Sequence, residues 1–474
     1  MKIPRFSVAA GSFFLVLAAL PLLVGMAPAA SAADGAAPPP GQLILDRVKP
    51  AVARIEMTVT ADLTASGLDV NNAAIVNFVR ARLSALSASG QRFSSVAAAT
   101  QAVVPDLLAD LTAHPSTYLQ MSSVRSDSQS ETMLLVGSGV LIDQAGYVLT
   151  ASGVVPDRAA AVTALGRGAL ASEEEMLKAD TSGDLGLWTA DQRVKLGRIF
   201  ADFLLPTIQA DRFEQKVSVS FGPVKPGESG GPSASASAAA EVVRTQAVGP
   251  AGVTVLKIGA STHPSVGLRN GPDLPAGSAV TVVGYPSPTF DGGGLDPSAA
   301  IQPTAIEGTV ASAASSLLPT TAVFSPGAVG APVLAADGTV AGLAVKADSG
   351  LAVIPVSQLR QAIGSTAAHA ATSPAMVTYQ AATRDLSKQW YKRAQGKLQS
   401  VTRSDPTFPY AADALATTRQ AVLDGKDRSP KDRPVVAGSI AGALLLVVIV
   451  AAAVIGAGSG GRGKPAPGWQ PAGW

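Results

Sequence analysis

A hydroxyl that attacks, an imidazole that takes its proton and a carboxylate that orients the imidazole are together sufficient to cleave an acyl bond. Three segments of this chain offer such groups. Gly227-Glu228-Ser229-Gly230-Gly231-Pro232 sets a serine among glycines, Leu111-Thr112-Ala113-His114 ends on an imidazole, and Asp184-Leu185-Gly186-Leu187 places an acid before apolar residues. The surroundings argue against a working site. Pro232 is followed by Ser-Ala-Ser-Ala-Ser-Ala-Ala-Ala, so no strand holds Ser229. Catalysis needs geometry fixed to a fraction of an ångström. An enzyme built on Ser229 and His114 stays open as an alternative, and it requires the two side chains to meet at about 3 Å.

Composition narrows the remaining chemistry. The 474 residues carry 36 Lys+Arg against 34 Asp+Glu, a net charge of +2, and only 15% charged side chains. No basic surface suited to a nucleic-acid partner is expected from that balance. The absence of cysteine excludes disulfides, thiolate metal sites and a catalytic thiol. His114, His263 and His369 are far apart in sequence, so neither a metal nor another cofactor is expected.

The elements that would position any site lie between two apolar ends. Lys2 and Arg5 precede an apolar run from Phe13 to Leu20, and small residues close it at Ala30-Ser31-Ala32. That order reads as a signal peptide over 1–32, cleaved near Ala32. Val435 to Ala457 is uncharged for 23 residues. At 1.5 Å per residue this is about 34 Å of helix, enough to cross a bilayer core of about 30 Å. The chain is therefore expected in the cell membrane as a single-pass protein with residues 33–433 extracellular. A short cytoplasmic Pro/Gly/Trp tail covers 458–474. Four cations, Lys426, Arg428, Lys431 and Arg433, flank the run outside and two, Arg462 and Lys464, inside. That bias opposes the usual rule, and the signal peptide decides the orientation. Gly438 and Gly442 have the spacing of a helix dimer face, although glycine is common in such helices.

Between the ends, Leu43 to Thr60 reads as a short helix and then an alternating strand, with Ala53, Ile55, Met57 and Val59 on one face. Ile75, Phe78, Val79, Leu83 and Leu86 form a helical stripe, and a second helix is expected from Pro105. Strands resume at Met133, with a hairpin turn over Asp143–Gly146. A further helical insertion covers about 157–208, and a Gly/Ser/Ala/Pro linker covers 222–240. Short strands then recur to Ile354, as in an antiparallel barrel or sandwich. Leu386, Trp390, Ala394, Leu398 and Val401 repeat at helical spacing, which predicts a helical hairpin over 371–425 with Trp390 in its core.

Gly137-Ser-Gly-Val-Leu-Ile-Asp-x-x-Gly-Tyr-Val-Leu-Thr-Ala-Ser-Gly-Val-Val155 resembles the strands around the histidine of trypsin-like serine peptidases, especially the bacterial high-temperature-requirement type. Val253-Thr-Val-Leu-Lys-Ile258 is similar to the strand after that family's aspartate. Gly327-Ala-Val-Gly-Ala-Pro-Val-Leu334 is similar to its nucleophile loop. The likeness runs over 43–363. It implies a mainly β, trypsin-like double β-barrel with helices inserted at about 70–113 and 157–208, followed by the hairpin and one transmembrane helix. In this register the histidine position is Gly153, the aspartate position Gly252 and the serine position Val329, so the resemblance implies the fold and withholds the chemistry. Gly327 and Gly330 remain where the family has its oxyanion loop, which stabilises nothing without a nucleophile and base.

The resulting expectation is a membrane-anchored pseudopeptidase that binds a protein or peptide, or serves as a scaffold in the cell envelope. Two alternatives stand beside it. One is an active membrane-anchored serine endopeptidase. The other is a structural spacer whose inserted helices form the interaction surface.

Overall fold

The computed structural model describes residues 39–126, 128–180, 182–223, 237–246, 252–259, 263–286, 301–312, 316–323, 326–347 and 350–430. The segment 1–32 expected as a signal peptide, Ser229, the apolar run 435–457 with Gly438 and Gly442, and the segment 458–474 lie outside them. Among the described residues no helix is long and apolar enough to cross a membrane.

A proline-started helix, α1 (Pro40–Val48), leads into β1 (Val52–Thr64). In β1 the residues Ile55, Met57, Val59, Ala61 and Leu63 are buried on alternate positions, as a two-residue period requires. Each large apolar side chain so buried contributes about 1.5–3 kcal/mol. The chain then leaves the sheet through β2 (Ser66–Val70), α2 (Asn72–Ala88), α3 (Val96–Ala113), α4 (Pro115–Tyr118) and β3 (Leu119–Arg125). It returns as β4 (Gln129–Asp143) and β5 (Tyr147–Ala151). The turn between them is held by Asp143, whose carboxylate accepts the Ala145 N–H, and by Gly146 at φ +96. A second excursion, α5 (Arg158–Ala179) and α6 (Ala190–Leu204), precedes β6 (Gln209–Phe221), β7 (Ser237–Gln246) and β8 (Val253–Ile258). These strands close a barrel in the order β1-β4-β5-β8-β7-β6.

The second sheet comprises β9 (Ala279–Gly284), β10 (Thr304–Thr309), β11 (Leu318–Pro319), β12 (Pro332–Leu334), β13 (Val340–Ala347) and β14 (Gly350–Pro355). Its order is β10-β9-β12-β13-β14-β11, and its edges approach through the Val310↔Thr320 bridge. A first apolar core joins barrel residues such as Ile55 and Val255 to Leu343 and Ile354 of the second sheet. It continues through Val356 and Leu359 of α7 (Val356–Ile363) to Met376 and Leu398. The second sheet has its own interior around Val282, Val333 and Val353. A third core joins the two excursions, with Leu107, Leu108 and Leu111 packed with Leu196 and Ile199.

Four sequence expectations are corrected. The second inserted helix starts at Val96 and not Pro105, because the Ser95 hydroxyl caps the Ala98 N–H and Pro105 lies inside the helix. The linker read over 222–240 is partly strand: Ser237 to Ala240 pair with β6, and Ala238 and Ala240 pack on the core. The hairpin of 371–425 is three helices, α8 (Pro374–Ser387), α9 (Tyr391–Ser404) and α10 (Ala411–Leu423). Gln389 at φ +59 breaks the periodic run that sequence spacing joined into one helix. Trp390, expected in the core, is half-buried in that break, with Lys388 Nζ 4.6 Å and Arg393 Cζ 5.0 Å from its ring centre.

Candidate functional site

Ser138, in the middle of β4, ties together the segments that meet here. It is fully buried. Its Oγ donates to the Gly327 carbonyl at 2.7 Å and accepts the Tyr285 N–H at 2.9 Å. Its own N–H donates to the Val329 carbonyl at 2.9 Å, and its carbonyl accepts the Thr150 hydroxyl at 2.7 Å. Gly137 is needed for this approach, and Gly139 for close packing within the barrel. A Cβ at 137 would lie 2.4 Å from Val154 Cγ2 and 2.8 Å from the Val329 carbonyl, and one at 139 would lie 2.5 Å from Ile55 Cδ1. Gly137 and Ser138 thus let the loop of 326–330 seat directly on the barrel. Gly330 completes the seating at φ +79, with its N–H donated to Ala344 O at 2.7 Å.

The loop so placed brings Val329 against Gly153. A Cβ on Gly153 would find Val329 Cγ1 at 3.9 Å, and Gly153 itself is exposed. Gly252 joins the same group through Ser152, whose N–H donates to the Gly252 carbonyl at 2.7 Å. The three sequence-aligned positions are therefore brought together, each from a different strand end or loop. What they present is backbone, one valine methyl and the buried Ser152 hydroxyl. Gly252 is closely confined: its Cβ would fall 2.3 Å from the Gln246 carbonyl and 2.6 Å from Ser152 Oγ. No side chain fits there without moving the end of β7. In the loop, the Gly327 carbonyl is taken by Ser138 and the Gly330 amide by Ala344.

All three histidines are engaged elsewhere. His263 stacks on Phe221 at 6.3 Å and contacts the Gly259 carbonyl, and the exposed His369 is tied through its main-chain N–H, which donates to Asp143 Oδ2. His114 caps α3 in the inserted helices, with Nδ1 3.0 Å from Asp110 Oδ1. The other oxygen of Asp110 accepts the Tyr118 hydroxyl. That bond above all holds the Asp110 carboxyl below its ordinary range, while burial and then Asp110 push the Tyr118 phenol up to about 12. His114 is thus part of a polar cluster in the insertion. Asp184 sits in a one-turn 3-10 segment, Gly183–Leu187, of the other insertion. Ser229, the alternative nucleophile, lies outside the described residues.

Ser138 and Ser152 are the residues that sequence reasoning passed over. The signal for Ser138 was present, since a serine between two glycines in an apolar strand marks a close backbone approach. The inserted helices carry a separate feature. Ile75, Val76, Val79 and Leu83 of α2 line a shallow recess on one helix face, and Val76 is 51% exposed.

No protein-family model matches the chain, and no curated protein matches it. Among solved structures it is similar to the serine endoprotease from Yersinia pestis, at 13% identity and a TM-score of 0.32, over 69% of this chain and 66% of that one. It thus spans less than two thirds of that protein's length. It is also similar to Deg5, at 16% identity and a TM-score of 0.30, over 50% of this chain and 86% of that one.

Proposed function

We propose that the chain is a membrane-anchored, extracytoplasmic trypsin-like domain without a catalytic triad, a pseudopeptidase that binds a protein or peptide or holds a scaffold in the cell envelope. The observation that carries this reading is the pairing of Val329 with Gly153, a Val329 methyl lying 3.9 Å from the point that a Cβ on Gly153 would occupy. A serine hydrolase needs an imidazole and a hydroxyl at these two positions, and here they carry a glycine and a valine. Gly252 adds to the argument, because its surroundings leave no volume for a carboxylate. Binding separates from chemistry readily, since a fold keeps its surfaces when a site loses its reactive groups. The exposed Gly153 beside the half-buried Val329 suits an extended apolar segment lying across it.

The test is selection of peptides on the immobilised full chain, followed by comparison with Gly153→Trp and Val329→Trp. Peptides that bind at this contact are expected to lose at least about tenfold in affinity, the equivalent of 1.4 kcal/mol. Affinity for both variants unchanged from that for the unsubstituted chain would contradict the placement.

The apolar face of α2 favours a second reading, in which the barrel is a spacer and the inserted helices meet the partner. Peptide or protein binding that survives deletion of both insertions argues against it.

A further inference from the structure

Residues 384–430 hold nine Lys and Arg against five Asp and no Glu, whereas the whole chain has a net charge of only +2. The excess is concentrated on α9, where Lys392, Arg393, Lys397 and Arg403 stand with no acidic residue. The nearby carboxylates are already engaged. Asp385 is buried and pairs with Lys397, Asp424 pairs with Lys426 at 3.3 Å, and Asp427 accepts the N–H groups of Lys392 and Ser429. Among the described residues no carboxylate lies within ion-pair distance of Lys388, Arg393 or Arg428. Lys388 and Arg393 lie on the Trp390 ring at the corner between α8 and α9. A half-buried tryptophan flanked by two cations is a combination that settles at a headgroup boundary.

The path of the chain says which surface this corner faces. The Arg428 N–H donates to the Gln389 carbonyl at 2.9 Å, so 427–429 are fastened to the corner itself. From Pro430 to the start of the uncharged run at Val435 is five residues, at most about 17 Å of chain. If 435–457 crosses a bilayer, the corner is held close to its surface.

We propose that the α8–α9 corner docks on the bilayer that holds 435–457, with Lys388, Lys392, Arg393 and Arg428 on anionic phospholipid headgroups and Trp390 at the boundary. This rests on the membrane-anchored reading above. Docking fixes the orientation of the barrels over the membrane, so the Gly153–Val329 contact is presented at a set height.

The chain has no cysteine, so one introduced thiol reports cleanly. Ser387→Cys, exposed beside the corner, is labelled with a polarity-sensitive fluorophore in the full chain, and Ser87→Cys on α2 serves as control. Each is reconstituted in vesicles of phosphatidylcholine alone or mixed equally with phosphatidylglycerol. The label at 387 is expected to shift to the blue only with phosphatidylglycerol, to revert in high salt, and to leave the control unmoved. Each of Lys388→Gln, Lys392→Gln and Arg393→Gln should shift the docking equilibrium about fivefold towards release. Identical emission in both vesicles, or no change in the triple variant, overturns the proposal. Alkaline extraction separates the two readings. If the chain is extracted, the anchor fails, and docking then shows as sedimentation of the chain with phosphatidylglycerol vesicles alone. Absence of that sedimentation overturns the surface as well.

Discussion

A Cβ placed on Gly153 would lie 3.9 Å from Cγ1 of Val329 and would meet nothing else within 4 Å outside its chain neighbours. Gly252, joined to the same group through Ser152, is the opposite case, with the Gln246 carbonyl 2.3 Å from the point its Cβ would occupy. The two glycines therefore respond differently to substitution. Gly153→Ala and Gly153→His should change stability by no more than about 0.5 kcal/mol, as surface changes usually do. Gly252→Ala and Gly252→Asp should cost about 1–3 kcal/mol by overpacking. Urea denaturation of the variants reads the difference, and equal stabilities would sink it.

The same asymmetry predicts the outcome of introducing three polar groups at these positions. Gly153→His, Gly252→Asp and Val329→Ser combined should give a destabilised chain with no peptidase activity. The carboxylate cannot reach an imidazole without displacing the end of β7. Hydrolysis of a casein substrate by the triple variant is the check, and turnover that depends on all three changes would contradict the confinement at Gly252.

Ser138 should matter to stability beyond its size. Ser138→Ala leaves the Gly327 carbonyl and the Tyr285 N–H without the partner they share, at about 1–3 kcal/mol for each buried group. Calorimetry of this variant is expected to show a clear loss, whereas an alanine that melts like the wild type would mean that water replaces the hydroxyl.

The Asp110–Tyr118 bond makes the inserted helices sensitive to pH at both ends. Tyr118 has its pKa raised from 10.0 to about 12, so its contribution is complete below pH 10 and is lost as pH climbs to about 12. Asp110 has its pKa lowered, so its contribution holds above the ordinary carboxylate range and is lost as pH falls through the folded value. Tyr118→Phe should flatten part of the alkaline fall in melting temperature. Buried Tyr285 and Tyr379 and the partly buried Tyr410, also pushed up by desolvation, keep the remainder. An unchanged alkaline slope in Tyr118→Phe would show that the phenol does not report on this bond.

Much of the barrel was legible because its signals are local. The alternation of Ile55, Met57 and Val59 fixes a strand, and Asp143 and Gly146 fix its neighbour's turn. Other features depend on contacts between distant segments. The shared core of the two insertions, Leu108 with Leu196, appears only when residues 88 positions apart are packed together. Ser237 to Ala240 were read as linker since small residues show no apolar period, yet β6 supplies their partners. Motif register alone aligned Gly153, Gly252 and Val329. The lack of room at Gly252 does not follow from that register, because it is set by a carbonyl at the end of β7.

The most direct test of an inactive domain is labelling of the full chain with a fluorophosphonate probe, with Ser229→Ala as the control. No labelling is expected from folded wild-type protein. Labelling that disappears in Ser229→Ala would contradict the pseudopeptidase reading and make the Gly227–Pro232 segment the nucleophile of a working enzyme.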